Sequence, residues 1–289
     1  MKKLKQKINL QPEEIKELER KWEEATLANN FIFYKVMRHH PNALKHLIEI
    51  LLKIKVRKLK YTNEETINID AGAKGIRLDV YAYDSERVFD LEIQTTNTKE
   101  LPERARFYQG VMDIDTLKSG QFFSALKESH VIFICFEDIF GKGLPVYTFK
   151  NICEQDGKTP LGDRTYKYFF NARKCAIMTE LDSEQRDFFN FLCSGKSNGT
   201  FAAELGSYVK DAKHNTQWRM QFMWLDRELA YRYSAGIEEG ERRGIQVGIL
   251  EGSRQKAEET AKNFLKMGLP IEQIAKGTGL SIEEIQKLK

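Results

Sequence analysis

Gly75-Ile76-Arg77-Leu78-Asp79-Val80-Tyr81-Ala82-Tyr83, then Asp84-Ser85-Glu86-Arg87, then Val88-Phe89-Asp90-Leu91-Glu92-Ile93-Gln94, is the stretch on which the fold turns. Both flanking runs alternate with a period of two, the signature of β-strands with one buried face. Ile76, Leu78, Val80 and Ala82 share one face of the first strand. Phe89, Leu91 and Ile93 share one face of the second. A tight turn at Ser85-Glu86 brings Leu78 opposite Ile93 and Val80 opposite Leu91. The apolar sets then coincide, which is what selects a register. The same register puts Asp79 opposite Glu92, Arg77 opposite Gln94 and Tyr81 opposite Asp90. Directly opposed Cβ atoms lie about 4.5–5.5 Å apart. Two carboxylates that close repel unless one is protonated or a cation sits between them. A hard divalent cation removes the conflict, and Mg²⁺ typically uses one or two carboxylates and keeps its waters. A solvated polar face, with the acids paired to Arg77 or Arg87, is the alternative. Spacing alone leaves both readings open.

Outward from the hairpin, residues 12–28 carry Ile15, Leu18, Trp22 and Ala25 at helical spacing, with Pro12 in the first turn. After Pro41, the residues Leu44, Leu47, Ile48, Leu51 and Leu52 form one apolar helix face. The basic run Lys53-Ile54-Lys55-Val56-Arg57-Lys58-Leu59-Lys60 reads as that helix passing into a strand with a cationic face. Residues 103–117 read as a helix. Val131–Phe136 reads as a strand buried on both faces, and Leu144–Phe149 as a further strand after the Gly141-Lys142-Gly143 turn. Beyond about 180 the chain reads as mostly helical.

The tail has its own grammar. Gly236, Gly240, Gly244, Gly248 and Gly252 recur every fourth residue, each costing a helix about 1 kcal/mol relative to Ala. This reads as a weak helical connector, with a self-association seam as the alternative. Residues 255–289 form a small helical unit resembling a helix-turn-helix, with Ser281 and Glu284 at capping-box spacing. Glu283 and Glu284 at the start of its last helix disfavour phosphate contact, so packing or oligomerisation is the preferred reading over DNA binding. The expected division is a leader over 1–25, a core over 26–180, a helical extension over 181–235, the glycine connector over 236–254 and the tail over 255–289.

Composition bounds the function. The chain has 289 residues, 41% hydrophobic and 30% charged, with a net charge of +4, so a basic surface must come from local clustering. No apolar run is long enough to span a bilayer, and no signal core follows the basic start, so no membrane partner is expected. Cys135, Cys153, Cys175 and Cys193 are widely spaced and show no C-x-x-C pattern, which fits free thiols in a cytoplasmic setting. Gly195-Lys196-Ser197 lacks the upstream glycine of a P-loop.

Arg77-Leu78-Asp79-Val80, Leu91-Glu92-Ile93-Gln94-Thr95 and Glu103-Arg104-Ala105-Arg106-Phe107-Tyr108-Gln109-Gly110 together resemble the recombination-promoting nuclease and transposase family of PD-(D/E)XK nucleases. Phe31–Met37, Val131–Phe136 and Gly141-Lys142-Gly143 add to the likeness, which covers most of residues 26–235. The resemblance implies an α/β, restriction-endonuclease-like core, a mixed sheet flanked by helices, with a helical C-terminal extension. It implies Mg²⁺-dependent cleavage of DNA, with Mn²⁺ expected to substitute. Asp79, Glu92 and the main-chain carbonyl of Ile93 would hold the metal. Gln94 stands where many relatives carry a lysine; a neutral amide orients but supplies no charge, and Arg77 is a candidate replacement. Asn30 is a second departure, where an Asp is common. Glu49 is the acid carried over from the first core helix, although an ion pair between Glu49 and Lys53, spaced i, i+4, is the bland reading. Arg104, Tyr108 and Gln109 would reach the phosphate side. Lys53, Lys55, Arg57 and Lys58, with the Lys-rich start, would follow the DNA backbone. A homodimer through the C-terminal helical region is a further expectation. The rival functions are an inert nuclease-fold DNA-binding or assembly protein, and an RNA-directed or defence nuclease.

Overall fold

A computed structural model describes residues 12–61, 80–96, 99–196 and 198–288. The described chain divides into two compact units, Met1–Met223 and Trp224–Lys289.

The first unit opens with three helices, α1 (Pro12–Glu24), α2 (Asn30–His39) and α3 (Pro41–Leu52). Asn29 caps α2, its side chain accepting from the Phe31 and Ile32 amides at 3.0 and 3.3 Å. This satisfies two of the amides that a helix start leaves unpaired. Helix α3 stops at Lys53, which takes a left-handed conformation (φ 57°). The basic segment is therefore neither helix nor strand until β1 (Lys60–Tyr61), contrary to the expected continuous run.

Strands β2 (Val80–Tyr83) and β3 (Arg87–Gln94) are antiparallel, with Val80 opposite Leu91 and Tyr81 opposite Asp90 as the alternation dictates. Asp84 closes the turn. Its Oδ1 accepts from the Glu86 and Arg87 amides at 2.9 and 2.8 Å, and Oδ2 lies 3.1 Å from Arg87 Nη2. Burial raises its pKa, but those amides and the Arg87 charge outweigh it and hold the carboxyl below its ordinary value. The expected partners Leu78–Ile93, Asp79–Glu92 and Arg77–Gln94 each include a residue outside the described ones.

Helix α4 (Leu101–Thr116) follows, then β4 (Glu128–Cys135), β5 (Val146–Phe149) and β6 (Thr165–Asn171). Among the described residues six strands form one mixed sheet in the order β1-β2-β3-β4-β6-β5. Strands β3, β4 and β6 run parallel, and the pairs at either side are antiparallel. Strand β4 is covered on both faces, which is why Val131–Cys135 is uninterruptedly apolar and buried. Strand β6 was not anticipated. Its sequence, Thr-Tyr-Lys-Tyr-Phe-Phe-Asn, mixes polar and aromatic residues without clean alternation, and pairing with β4 decides its conformation.

The sheet separates two cores. Phe89, Leu91, Ile93, Ile132 and Ile134 pack with α1–α3 and with the later helices α5 (Ala172–Ile177), α6 (Ser183–Ser194) and α7 (Thr200–His214). Val88, Val131, Phe133, Cys135, Tyr147 and Phe169 pack beneath Leu101, Ala105, Tyr108, Val111 and Met112 of α4.

Helix α8 (Thr216–Lys266) is continuous through the glycine repeat. A Cβ on any of the five glycines would meet nothing within 4 Å, so no close approach in this chain requires them. In the second unit, Gly268 (φ 77°) turns the chain into α9 (Ile271–Thr278). Ser281 and Glu284 form the expected capping box at α10 (Ile282–Gln286). Ala261, Ile274, Leu280 and Ile285 make its small core. No helix among the described residues is long and apolar enough to cross a membrane.

Candidate active site

Because β3 alternates, burying Phe89, Leu91 and Ile93 on one face obliges Asp90, Glu92 and Gln94 to face α4. Asp90 is fully buried and Glu92 only 3% exposed. A buried carboxylate requires compensation. Arg104, in the first full turn of α4, provides it: Nη2 donates to Glu92 Oε2 at 3.0 Å and Nη1 to Gln94 Oε1 at 2.8 Å. The same guanidinium donates to the Tyr108 hydroxyl from Nε and Nη2, at 3.1 and 2.9 Å. It also lies 5.4 and 5.5 Å from the ring centroids of Tyr108 and Phe133, within cation–π range. One arginine therefore ties together the three side chains by which the β3 motif and the α4 motif meet.

The electrostatics follow from the burial. Desolvation, then the Glu92 charge, push the Tyr108 phenol up to about 12, so it remains a neutral hydroxyl. Tyr81 is likewise raised, by burial and by its hydrogen bond to Asp115 at 2.8 Å. Cys135, register partner of Gln94, has its thiol pushed up to about 12 by burial and stays protonated. The carboxyl groups on this face thus have no thiolate beside them, an oxygen donor set suited to a hard divalent cation. No three metal-ligating side chains converge among the described residues. Asp79, the expected motif aspartate, and Arg77 lie outside them.

The other expected residues are distributed as follows. Glu49 lies on α3, which packs on the sheet face opposite Glu92. Its Oε1 accepts from the Val56 amide at 2.9 Å and its Oε2 is 4.0 Å from Lys55 Nζ, so it braces the loop after α3. The expected Glu49–Lys53 pair does not form. The left-handed turn at Lys53 redirects that side chain to Asp182. Arg57 pairs with Glu86 at 3.0 Å, while Lys55 and Lys58 are exposed. Gln109 is buried and donates to Ser129, four register positions along β4 from Phe133, the partner of Glu92; it is not brought to Arg104. Asp90 carried no expected role, yet its charge acts on both Tyr81 and Tyr108. The signal available in the sequence was its place two residues before Glu92, on the same strand face.

Comparison with curated proteins and with solved structures found no match. Residues 27–192, more than half of the chain, match the family described as PD-(D/E)XK nuclease family transposase. The matched span contains the whole sheet, α4 and the Glu92–Gln94–Arg104 cluster, and the mixed sheet flanked by helices is the restriction-endonuclease-like fold of that group. The chain belongs to the PD-(D/E)XK nuclease family transposases.

Proposed function

We propose that this protein is a divalent-metal-dependent DNA endonuclease whose charged centre is Glu92, Asp79 and Arg104. The observation that carries the reading is the buried Glu92 carboxylate held, together with Gln94, by one guanidinium. The sequence alternation expects Asp79 opposite Glu92, and the Val80–Leu91 pair that the structure describes agrees with that expected register. Those two acids and the Ile93 main-chain carbonyl would hold Mg²⁺ or Mn²⁺; the cation would activate water and neutralise charge on the phosphate. Gln94 orients by hydrogen bonding but carries no charge. Arg104, in contact with it, supplies the fixed positive charge that the amide lacks. Tyr108 fixes the guanidinium from the helix side as a neutral partner. Lys55 and Lys58 would make sequence-independent phosphate contacts, a reading their exposure after α3 supports.

Purified protein should nick or linearise plasmid DNA with Mg²⁺ or Mn²⁺ and lose this in Glu92→Gln and Asp79→Asn. Equal cleavage by wild type and both variants rejects the assignment. One observation favours the inert reading: Arg104 already compensates the Glu92 charge, as a purely structural ion pair would. Calorimetry with Mn²⁺ separates the two, since an inert fold binds no cation that Glu92→Gln abolishes. The proposal also includes a role in recombination, the five-part domain division, a homodimer through α8 and the tail, and a reducing, cytoplasmic setting. The free cysteines support the last of these.

A further inference from the structure

A groove of about 450 Å³ opens beside α4, on the same sheet face as Glu92. Its walls are Arg106 from α4, Phe149 and Lys150 at the end of β5, Lys167 and Phe169 on β6, and Phe140 from the loop after β4. No carboxylate lines it, and Arg106, Lys150 and Lys167 form no ion pair among the described residues. Asp113 is within electrostatic range of Lys167, and Asp163 ties the rim by accepting from Asn151 and Thr165 at 2.6 and 2.8 Å.

The rings are ordered relative to the charged centre. Glu92 is the register partner of Phe133, and Phe133 of Phe169. Two strand spacings of about 4.8 Å therefore separate Glu92 from the groove floor, about 10 Å in all. That is the reach of about three stacked nucleotides at 3.4 Å each. Phe133 and Phe169 are stacked at 5.3 Å, and Phe140 and Phe149 stand edge-on to Phe169 at 5.2 and 5.8 Å. An aromatic path thus runs from the Arg104 guanidinium to Phe149, the ring at the mouth, which is 43% exposed. The loop that presents Phe140 is rigidly built. Asp138 accepts from the Gly141 and Gly143 amides at 3.0 and 2.6 Å and from the Tyr147 hydroxyl at 2.6 Å.

We infer that this groove binds an unpaired segment of the DNA strand flanking the bond to be cut, a base stacking on Phe149 and phosphates meeting Arg106 and Lys150. The inference rests on the nuclease reading above and deepens it. An exposed ring, Phe149, backed by the Phe140 and Phe169 rings and flanked by cations that form no ion pair among the described residues, supplies the elements of single-strand recognition. A base inside a duplex is stacked on both faces and cannot present one to a concave wall, so the occupant is single-stranded.

The test measures binding of the full chain, without divalent metal and with chelator present, to a labelled thymidine oligodeoxynucleotide, its ribonucleotide counterpart and a blunt DNA duplex. Phe149→Ala is expected to weaken single-strand DNA binding about 5- to 100-fold and leave duplex binding unchanged. Phe149→Trp should restore it. Phe122→Ala, removing an 85% exposed ring outside the groove, should have no effect. Lys150→Gln should lower the salt slope by roughly 0.7. Unchanged single-strand binding in Phe149→Ala, equal weakening for the duplex, equal loss in Phe122→Ala, or binding of the ribonucleotide alone would each overturn the inference. Since no turnover is read, loss of the groove effect with cleavage intact sinks this inference alone. Groove binding without metal-dependent cleavage sinks the nuclease reading alone.

Discussion

Replacing Arg104 by methionine removes the cation from a carboxylate that is 3% exposed and keeps a side chain long enough to fill the space. Removing one partner of a buried ion pair costs about 3–5 kcal/mol, because the remaining charge is stranded in a poor solvent. The Arg104 side chain is itself 30% exposed, so solvent already screens part of the interaction and the lower end, about 3 kcal/mol, is expected. For a unit of this size, with about 2–4 °C per kcal/mol, the melting temperature should fall by roughly 6–12 °C. Glu92→Gln should cost less, about 1.5–3 kcal/mol, since it leaves a partly exposed guanidinium with an amide to bond. The double variant should be more stable than the sum of the two losses implies, with a coupling of at least 1 kcal/mol. Denaturant unfolding of the wild type, both single variants and the double variant gives the cycle. Strict additivity, within about 0.5 kcal/mol, would refute the claim that Glu92 depends on Arg104. Cleavage supplies an independent reading: Arg104→Met should lower it by about 10²–10³-fold. Arg104→Lys should rescue little, because a point charge cannot reach Glu92 and Gln94 as a fork does.

Asp79→Asn should reduce cleavage by about 10²–10³-fold in a plasmid assay while DNA binding in chelator persists. Asp84 has a folded-state pKa below its unfolded value, so its stabilising effect is complete above about pH 4 and is lost as pH falls through the depressed value. Denaturant midpoints measured from pH 5 down to pH 2.5 should therefore drop more steeply in the wild type than in Asp84→Asn. Gly244→Ala and Gly248→Ala should each stabilise α8 by about 0.5–1 kcal/mol, because an added Cβ meets nothing within 4 Å. Far-ultraviolet dichroism reads that gain, and a simultaneous loss of self-association by sedimentation would identify the glycine stripe as a seam between copies.

The features legible in the sequence are those that arise from local periodicity. The Val80–Leu91 and Tyr81–Asp90 pairs follow from two alternating runs and a two-residue turn, since shifting either strand by one would expose its apolar set. The Ser281–Glu284 box needs only its spacing and its residue types. The basic run after α3 misled because its alternation resembles a strand, while the left-handed Lys53 and the Asp182 contact depend on α6, far along the chain. Strand β6 was hidden for the same reason: its conformation is imposed by β4 and β5 on either side.

Sequence by itself determined that Asp90, Glu92 and Gln94 share one strand face and that the other face is core, because side chains on an extended chain alternate whatever surrounds them. Only the tertiary structure brought the Arg104 guanidinium to Glu92 and Gln94. Arg104 lies ten residues beyond Gln94 in the chain, and it is the packing of Leu101, Ala105 and Tyr108 onto the sheet that sets it over Glu92 and Gln94. Burial of that carboxylate makes the placement consequential, since charge removed from water must find its counterpart within the fold.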